Sequence, residues 1–426
     1  MSSKRDDISN DIEPTVNDSS EIREPFNPTK IDITPKPLII DSLIKKIEIT
    51  NFKCFEHETI ELAPLNLLTG LNGMGKSTLI QAFLLLRQSH DMGFLQRELQ
   101  IALNGDLIQI GNGRDVLYQY ANGRTITIMF ETTECRWRWI WNVDLELEKD
   151  ILFFHNHEQK IKDERVQAYL SKDNNKPCEL PLFGSNFHYL SAERLGPRVY
   201  HELSTYRAIK KQIGVRGEFA YSYLEEYGNT EIPIKGLCYD GTDGTTIYEQ
   251  LNAWLGEIRP GTKVKTRPSI DMSLVSAVYQ FIGGKDISRE FRATNVGFGL
   301  SYILPLLTVI LSATPGSLII LENPEAHLHP KGQAQIGRLL ALAAANGVQL
   351  IVETHSDHIL NGIRVATKEL LITPEKVNIL FFTGDIVDDK FQHYILNPKI
   401  DEDGRLDEWP DGFFDEWEKQ LDKLIE

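Results

Sequence analysis

The sequence predicts an α/β fold: a mixed β-sheet flanked by helices, with an α+β lobe inserted between the two halves that build it. Three observations carry this expectation. The mostly apolar run Leu65 to Leu68 is followed by Gly70-Leu71-Asn72-Gly73-Met74-Gly75-Lys76-Ser77 and then by a helical stretch, Thr78 to Arg87. A second apolar run, Leu318 to Leu321, begins after Pro315-Gly316 and ends on Glu322. A third, Val348 to Val352, ends on Glu353-Thr354-His355-Ser356-Asp357. Short continuous apolar runs suit parallel strands buried on both faces, and polar residues at their C-terminal ends sit where open α/β sheets hold ligands.

The elements follow in chain order. Met1 to about Pro37 is polar and proline-dotted, which predicts a disordered arm over 1–40. Leu43 to Thr50 partly alternates and, with Thr59 to Leu62, reads as a hairpin turning through Phe52 to Phe55. Residues 41–150 then form the first half of the head. Within it Val116 to Leu147 is rich in strand signals, with a hairpin turn expected at Asn122-Gly123. In Arg136-Trp137-Arg138-Trp139-Ile140-Trp141 the three tryptophans share a face with Val143, Leu145 and Leu147, opposite the arginines, so the face is a core face rather than a base-stacking platform. Residues 151–290 form the lobe, with helical stretches at Glu202 to Ile213 and Ile247 to Leu255 and no sustained heptads for a coiled-coil arm. Residues 291–396 complete the head. They include an apolar helix from Tyr302 to Ala313 and an amphipathic one (Ile336, Leu339, Leu340, Ala343) stopped by Asn346-Gly347. Residues 397–426 are an acidic segment ending in a helix, Phe413 to Ile425.

The glycine-rich loop fits G-x-x-x-x-G-K-[ST] between a strand and a helix, the context in which that pattern binds nucleoside triphosphates. Backbone amides must approach a polyanion closely, so Gly70, Gly73 and Gly75 stand where a Cβ would block contact or φ must turn positive. Asn72 belongs to the same loop. Lys76 reaches the β- and γ-phosphates, Ser77 ligates Mg²⁺, Thr78 adds a phosphate contact, and the helix N-terminus supplies further amides. Glu322, at a buried strand's tip, is the candidate second ligand of the metal held by Ser77. Gly297 and Gly299, one residue apart, open a long apolar helix and read as a second N-terminal anion site or as a tight turn before a core helix.

Taken together, Gly70 to Thr78, Asn295-Val296-Gly297-Phe298-Gly299-Leu300-Ser301, Leu318 to Pro330 with its Ala326-His327-Leu328-His329-Pro330 tail, and Glu353 to Asp357 resemble the ABC-type ATPases of the SMC-like and OLD-like group. The chain looks most like predicted ATPases of that group with E-N-P-E-A-H-L-H-P at the acidic strand end. Those carry a small terminal domain of unknown function, matched here by Trp409-Pro410-Asp411-Gly412-Phe413-Phe414. The resemblance covers about residues 43 to 420 and implies an ABC-type P-loop NTPase head that dimerises around Mg²⁺ and ATP. In such a dimer the P-loop of one protomer faces Asn295, Gly297, Gly299 and Ser301 of the other. It also implies that His355 senses the γ-phosphate, that Phe52 to Phe55 lie near the base unless they serve the core, and that Glu193, Arg194 and Arg198 face nucleotide or partner unless they make structural ion pairs. One departure bears on mechanism. Where most of these ATPases carry an aspartate and then a glutamate, this chain has Glu322 and Asn323. An amide cannot act as a base, though it can orient a water, so Glu325 becomes the candidate base and hydrolysis is expected to be slow.

Composition narrows the setting. Of the net charge of −16, half lies in Asp401 to Glu426, where eleven acids face three bases. A DNA contact would therefore need a local basic patch, Arg207, Lys210, Lys211 and Arg216 or Lys263, Lys265 and Arg267, although short runs of this kind are more often solvated faces. Cys54, Cys135, Cys178 and Cys238 show no paired spacing and no signal peptide is evident, which suggests a cytoplasmic protein. No apolar stretch is long enough to span a membrane. The Glu325 to His329 group reads as a dimer-contact loop in preference to a zinc site, since its histidines are two residues apart with no further ligand cluster nearby. About seventy residues follow His355, too few for a nuclease domain, so a separate effector such as a nuclease is the expected partner. By family analogy the setting is DNA maintenance or phage defence.

Overall fold

The computed structural model describes residues 43–97, 100–145, 149–154 and 180–425. The expected arm over 1–40, Leu147 and Cys178 lie outside the described residues.

The molecule is organised around a six-stranded sheet. Its strands run in the order Lys390–Leu396, Val377–Val387, Leu65–Gly70, Gln349–Glu353, Leu318–Glu322, Phe187–Leu190. The last five of these pair in parallel, and Lys390–Leu396 closes one side as an antiparallel hairpin partner of Val377–Val387. The three strands that the apolar runs predict are therefore neighbours. Gln349–Glu353 lies between the P-loop strand and the acidic strand, and Glu322 stands in register with Glu353.

Because side chains alternate along a strand, this sheet feeds two cores at once. Leu65, Leu67, Ile319, Leu321, Leu350 and Val352 enter one, and Leu68, Leu318, Ile320 and Ile351 enter the other. The first core is shared with the helices Phe298–Leu311 and Pro330–Ala345 and with Leu251, Trp254 and Leu255 of the lobe helix Ile247–Ile258. A capping box formed by Thr246 and Glu249 starts that lobe helix. The second core holds the P-loop helix Lys76–Asp91 against an antiparallel sheet ordered Phe55–Glu61, Lys46–Phe52, Thr125–Glu131, Arg136–Asn142, Ile151–Phe154, Gln100–Ala102. Trp137, Trp139 and Trp141 are buried there while Arg136 and Arg138 face outward, as the alternation predicts.

Several expectations are corrected. Asn122-Gly123 is not the hairpin turn: the chain reverses at Thr132 to Cys135, between Thr125–Glu131 and Arg136–Asn142. There the Thr132 hydroxyl accepts the amides of Glu134 and Cys135, a side-chain turn that does without glycine. Cys135 is disulfide-bonded and Cys54 and Cys238 are free thiols, so the cysteine pattern gives no argument for a reducing compartment. The 151–290 segment is less separate than its composition suggests. It supplies Phe187–Leu190 to the central sheet, alongside its own antiparallel hairpin Thr262–Ser269 and Leu274–Gly283. The C-terminal helix starts at Glu416 rather than Phe413, because Phe414 adopts a left-handed backbone and Phe413 is drawn into the core against Phe381. Among the described residues no helix is long and apolar enough to cross a membrane.

Candidate nucleotide site

The P-loop lies at the mouth of a cleft of about 560 Å³ lined by Asn72, Gly73, Gly75, Lys76, Ser77 and Thr78. Its glycines are required by geometry. Gly70 has φ +122°, and a Cβ there would fall 2.0 Å from the Phe382 carbonyl oxygen. Gly75, at the helix N-cap with φ +110°, would meet the Phe55 ring at 2.8 Å. Gly73 has open space around it but φ +80°. The loop therefore rests on Phe55 beneath and on Val377–Val387 beside it. This also answers the question about the Phe52 to Phe55 turn: both phenylalanines are core residues, while Lys53 and Cys54 between them line the cleft. Tyr118, Phe391 and His393 form the aromatic part of the opposite wall.

Lys76 is 3% exposed and folds back over its own loop, donating to the carbonyls of Gly70 and Leu71 at 2.9 Å each. Its ammonium lies 3.9 Å from the Glu353 carboxylate, and burial lowers its pKa from the ordinary lysine value. Ser77 is exposed to the cleft and its hydroxyl is hydrogen-bonded to Glu353. Of the two strand-tip acids, Glu353 is thus the one beside the P-loop, and it also lines the cleft. Desolvation, followed by the charge of Glu322, raises its pKa to about 7. Sequence reasoning passes over Glu353 in favour of His355, although the rule that selects Glu322, an acid at the tip of a buried strand, selects Glu353 equally.

Glu322 sits one strand further from the P-loop, and both its oxygens are held. Tyr189 donates to Oε1 at 3.0 Å and the Ala192 amide to Oε2 at 3.1 Å. Asn323 takes a left-handed backbone, φ +43°, and its amide donates to the Glu353 carbonyl. Arg194, 2% exposed, clamps this turn by donating to the carbonyls of Glu322 and Asn323. It is therefore a buried positioning residue. Glu193 instead pairs with Arg216 at the surface, and Arg198 is exposed. Glu325 reaches across to the neighbouring strand end, accepting the Thr354 hydroxyl at 2.8 Å and the His355 amide at 3.0 Å. Burial and then the charge of Lys76 lower the pKa of His355, against an opposing pull from Glu325.

Asn295, Gly297 and Gly299 are not among the residues lining this cleft. They stand at the start of the helix Phe298–Leu311, with Gly297 as its N-cap. Gly299 permits close packing, since a Cβ there would lie 2.4 Å from the His327 carbonyl oxygen. Ser301 is corrected: it is 2% exposed, and a hydroxyl shut inside its own chain cannot meet a partner's phosphate.

Among the described residues no three His, Cys, Asp or Glu side chains form a ready-made metal cage. Mg²⁺ is commonly held by one or two protein oxygens together with substrate phosphates and water. The exposed Ser77 hydroxyl beside Glu353, with Glu322 in register, fits such an ion.

This strand, loop and helix, with acids at adjacent strand tips, define a P-loop ATPase head. Residues 65–361 match the family model described as "AAA domain, putative AbiEii toxin, Type IV TA system", and the chain belongs to that family. Residues 372–424 match a second model, a protein of unknown function, DUF3696. This fits the expected terminal domain, although here it includes the last two strands of the central sheet. No curated protein matches the sequence. Solved structures similar to the chain include an Smc head bound to the C-winged helix domain of ScpA (14% identity, 83% of this chain and 98% of that one, TM-score 0.44). Another is an Smc head domain with an extended coiled coil bound to the C-terminal domain of ScpA, derived from Pyrococcus furiosus (12% identity, 90% and 99%, TM-score 0.45). A third is the SMC head domain from Thermotoga maritima (13% identity, 83% and 98%, TM-score 0.39). The ATPase domain expected from the motifs stands on the family match over residues 65–361.

Proposed function

We propose that the chain binds Mg²⁺ and ATP, dimerises around them, and hydrolyses ATP to reset a separate effector such as a nuclease, in DNA maintenance or phage defence. The observation that carries the reading is the meeting of Lys76, Ser77, Glu353 and Glu322 at one end of the sheet, beneath a loop whose three glycines have left-handed φ. The P-loop amides and Lys76 hold the phosphates, while Ser77 with Glu322 or Glu353 holds the metal. The metal, when bound, neutralises charge on the phosphate oxygens. Asn323 orients a water and Glu325, fixed by Thr354 and His355, takes its proton as the bond to the γ-phosphorus forms and the bridging bond to ADP breaks, releasing phosphate. Asn295, Gly297 and Gly299 serve the site of a second protomer. A dimer-contact role for the Glu325 to His329 loop, a cytoplasmic setting and a local DNA contact through Lys263, Lys265 and Arg267, exposed at alternate positions of one strand, complete the reading. The family description, which names a toxin of a type IV system, supports a defence setting.

A second reading is favoured by Asn323, which is no base, and by Glu325, both of whose oxygens already accept hydrogen bonds. In it the chain is an ATP-gated scaffold that closes without appreciable hydrolysis and acts by binding its partner. The test compares the parent with Lys76→Ala for ATP affinity, phosphate release and mass. Losing one charge-assisted contact worth roughly 1.5–3 kcal/mol should weaken ATP binding about 10- to 100-fold. Phosphate release below about ten per second that vanishes in the variant supports the enzyme, and none in either chain supports the scaffold. Equal ATP affinity in both would remove the site itself.

A further inference from the structure

A second cavity, of about 750 Å³, opens beside the sheet edge formed by Phe187–Leu190. Small-molecule sites span roughly 300–1,000 Å³, so it could enclose a ligand of nucleotide size. Its charge runs against that of the chain. Arg207, held by Gln212 and the Phe219 ring, and Lys210 and Lys211 line it and form no ion pair among the described residues. Of its acids, Asp91 is already paired with Arg87 and Glu218 accepts the Arg216 amide, which leaves Asp106 to set against three cations. That local excess of positive charge, on a chain of net charge −16, marks a place for an anion.

The cavity also has an organic wall. His188 is 9% exposed and lines the cavity, and its ring makes no hydrogen bond among the described residues. Burial and the nearby Arg87 and Lys211 lower its pKa to about 4, so at neutral pH the ring offers one donor and one acceptor instead of a charge. Ile213 and Val215 supply apolar surface next to it.

Two links run from this cavity to the acidic strand. Tyr189, which lines it, donates to Glu322. On the far wall, the carbonyls of Val215 and Arg216 accept the amides of Ser191 and Leu195, which bracket the Ala192 amide that holds the other Glu322 oxygen.

We propose that this cavity is a second site for a free nucleotide, with phosphate against Arg207, Lys210 and Lys211 and base beside His188, and that its occupancy alters the setting of Glu322. The regulatory half rests on the ATPase reading above, and the binding half does not.

The test titrates AMP and dTMP by calorimetry into the full chain carrying Lys76→Ala, which disables the P-loop, and into the same chain with Lys210→Glu and Lys211→Glu added. One nucleotide per chain, weakened at least tenfold by the charge reversals at unchanged thermal stability, is the expected result, with Arg207→Glu as an independent second variant. Absence of binding to the Lys76→Ala chain, binding indifferent to the reversals, or binding only of a 5′-phosphorylated oligonucleotide would overturn the site. In the parent, saturating AMP should change phosphate release at least threefold, and the Lys210→Glu, Lys211→Glu chain should keep the basal rate but lose the response. A parent that hydrolyses ATP and ignores AMP breaks the link to Glu322. A parent that releases no phosphate sinks the ATPase reading, while the AMP titration still decides the cavity.

Discussion

Glu353 shows how much one carboxylate can contribute to the behaviour of the site. Its pKa, raised from the ordinary glutamate value to about 7, means that the folded protein binds a proton the unfolded chain has lost between about pH 4.5 and 7. The stability tied to that proton is complete below the unfolded pKa and is lost as pH rises through the folded one. At pH 8 the buried charge should cost on the order of 2–3 kcal/mol. Glu353→Gln should match the parent in urea unfolding at pH 5 and exceed it at pH 8. Parallel stability curves for the two proteins over that range would show that the carboxylate carries no such penalty. Arg194 acts differently, through packing and position: its guanidinium ties down the carbonyls that follow the acidic strand and so sets the Asn323 turn.

At the scale of elements, the C-terminal segment is held by Ile400 and Phe413, both buried in the first core, and Phe413 is the larger anchor. Phe413 is fully buried edge-on against Phe381, with Trp409 beside it and Arg364 over the Trp409 ring. Phe413→Ala should therefore cost roughly 3–5 kcal/mol, read as a lower Tm. It should also raise protease sensitivity beyond residue 396, and a loss under 1 kcal/mol would mean that the segment is held elsewhere.

The elements most legible in the sequence are those whose burial leaves a one-dimensional trace. Leu65 to Leu68, Leu318 to Leu321 and Val348 to Val352 are apolar without a break because both sheet faces are covered, and the loop glycines follow from φ values that other residues resist. Thr132 to Cys135 was hidden because a threonine hydroxyl replaces the glycine that marks most hairpins. Phe187–Leu190 was hidden because an edge strand of four residues carries too short a pattern. Of the site, the P-loop was legible from spacing alone. Glu353 and Arg194 were not, since their roles depend on which strand lies between which, and strand order is a property of the tertiary fold.

At the scale of the molecule, charge opposes the proposed dimer. Two chains of net charge −16 repel at long range, and the Debye length shortens from about 10 Å at 0.1 M salt to about 3 Å at 1 M. Adding Mg²⁺ and ATP should double the mass measured by light scattering, with more dimer at 0.3 M than at 0.05 M salt. Association that falls as salt rises would mean that complementary surface charges hold the protomers together. A monomer under all these conditions would remove the role given to Asn295, Gly297 and Gly299.

The two hydrogen bonds from Lys76 to the carbonyls of Gly70 and Leu71 have a further consequence for ligand choice. Any anion in the loop must share the Lys76 ammonium with those two carbonyl oxygens. A triphosphate, with several charges to offer, should compete for it better than a lone phosphate or a monoanionic metabolite. Such a loop would sort ligands by valence, before shape is consulted.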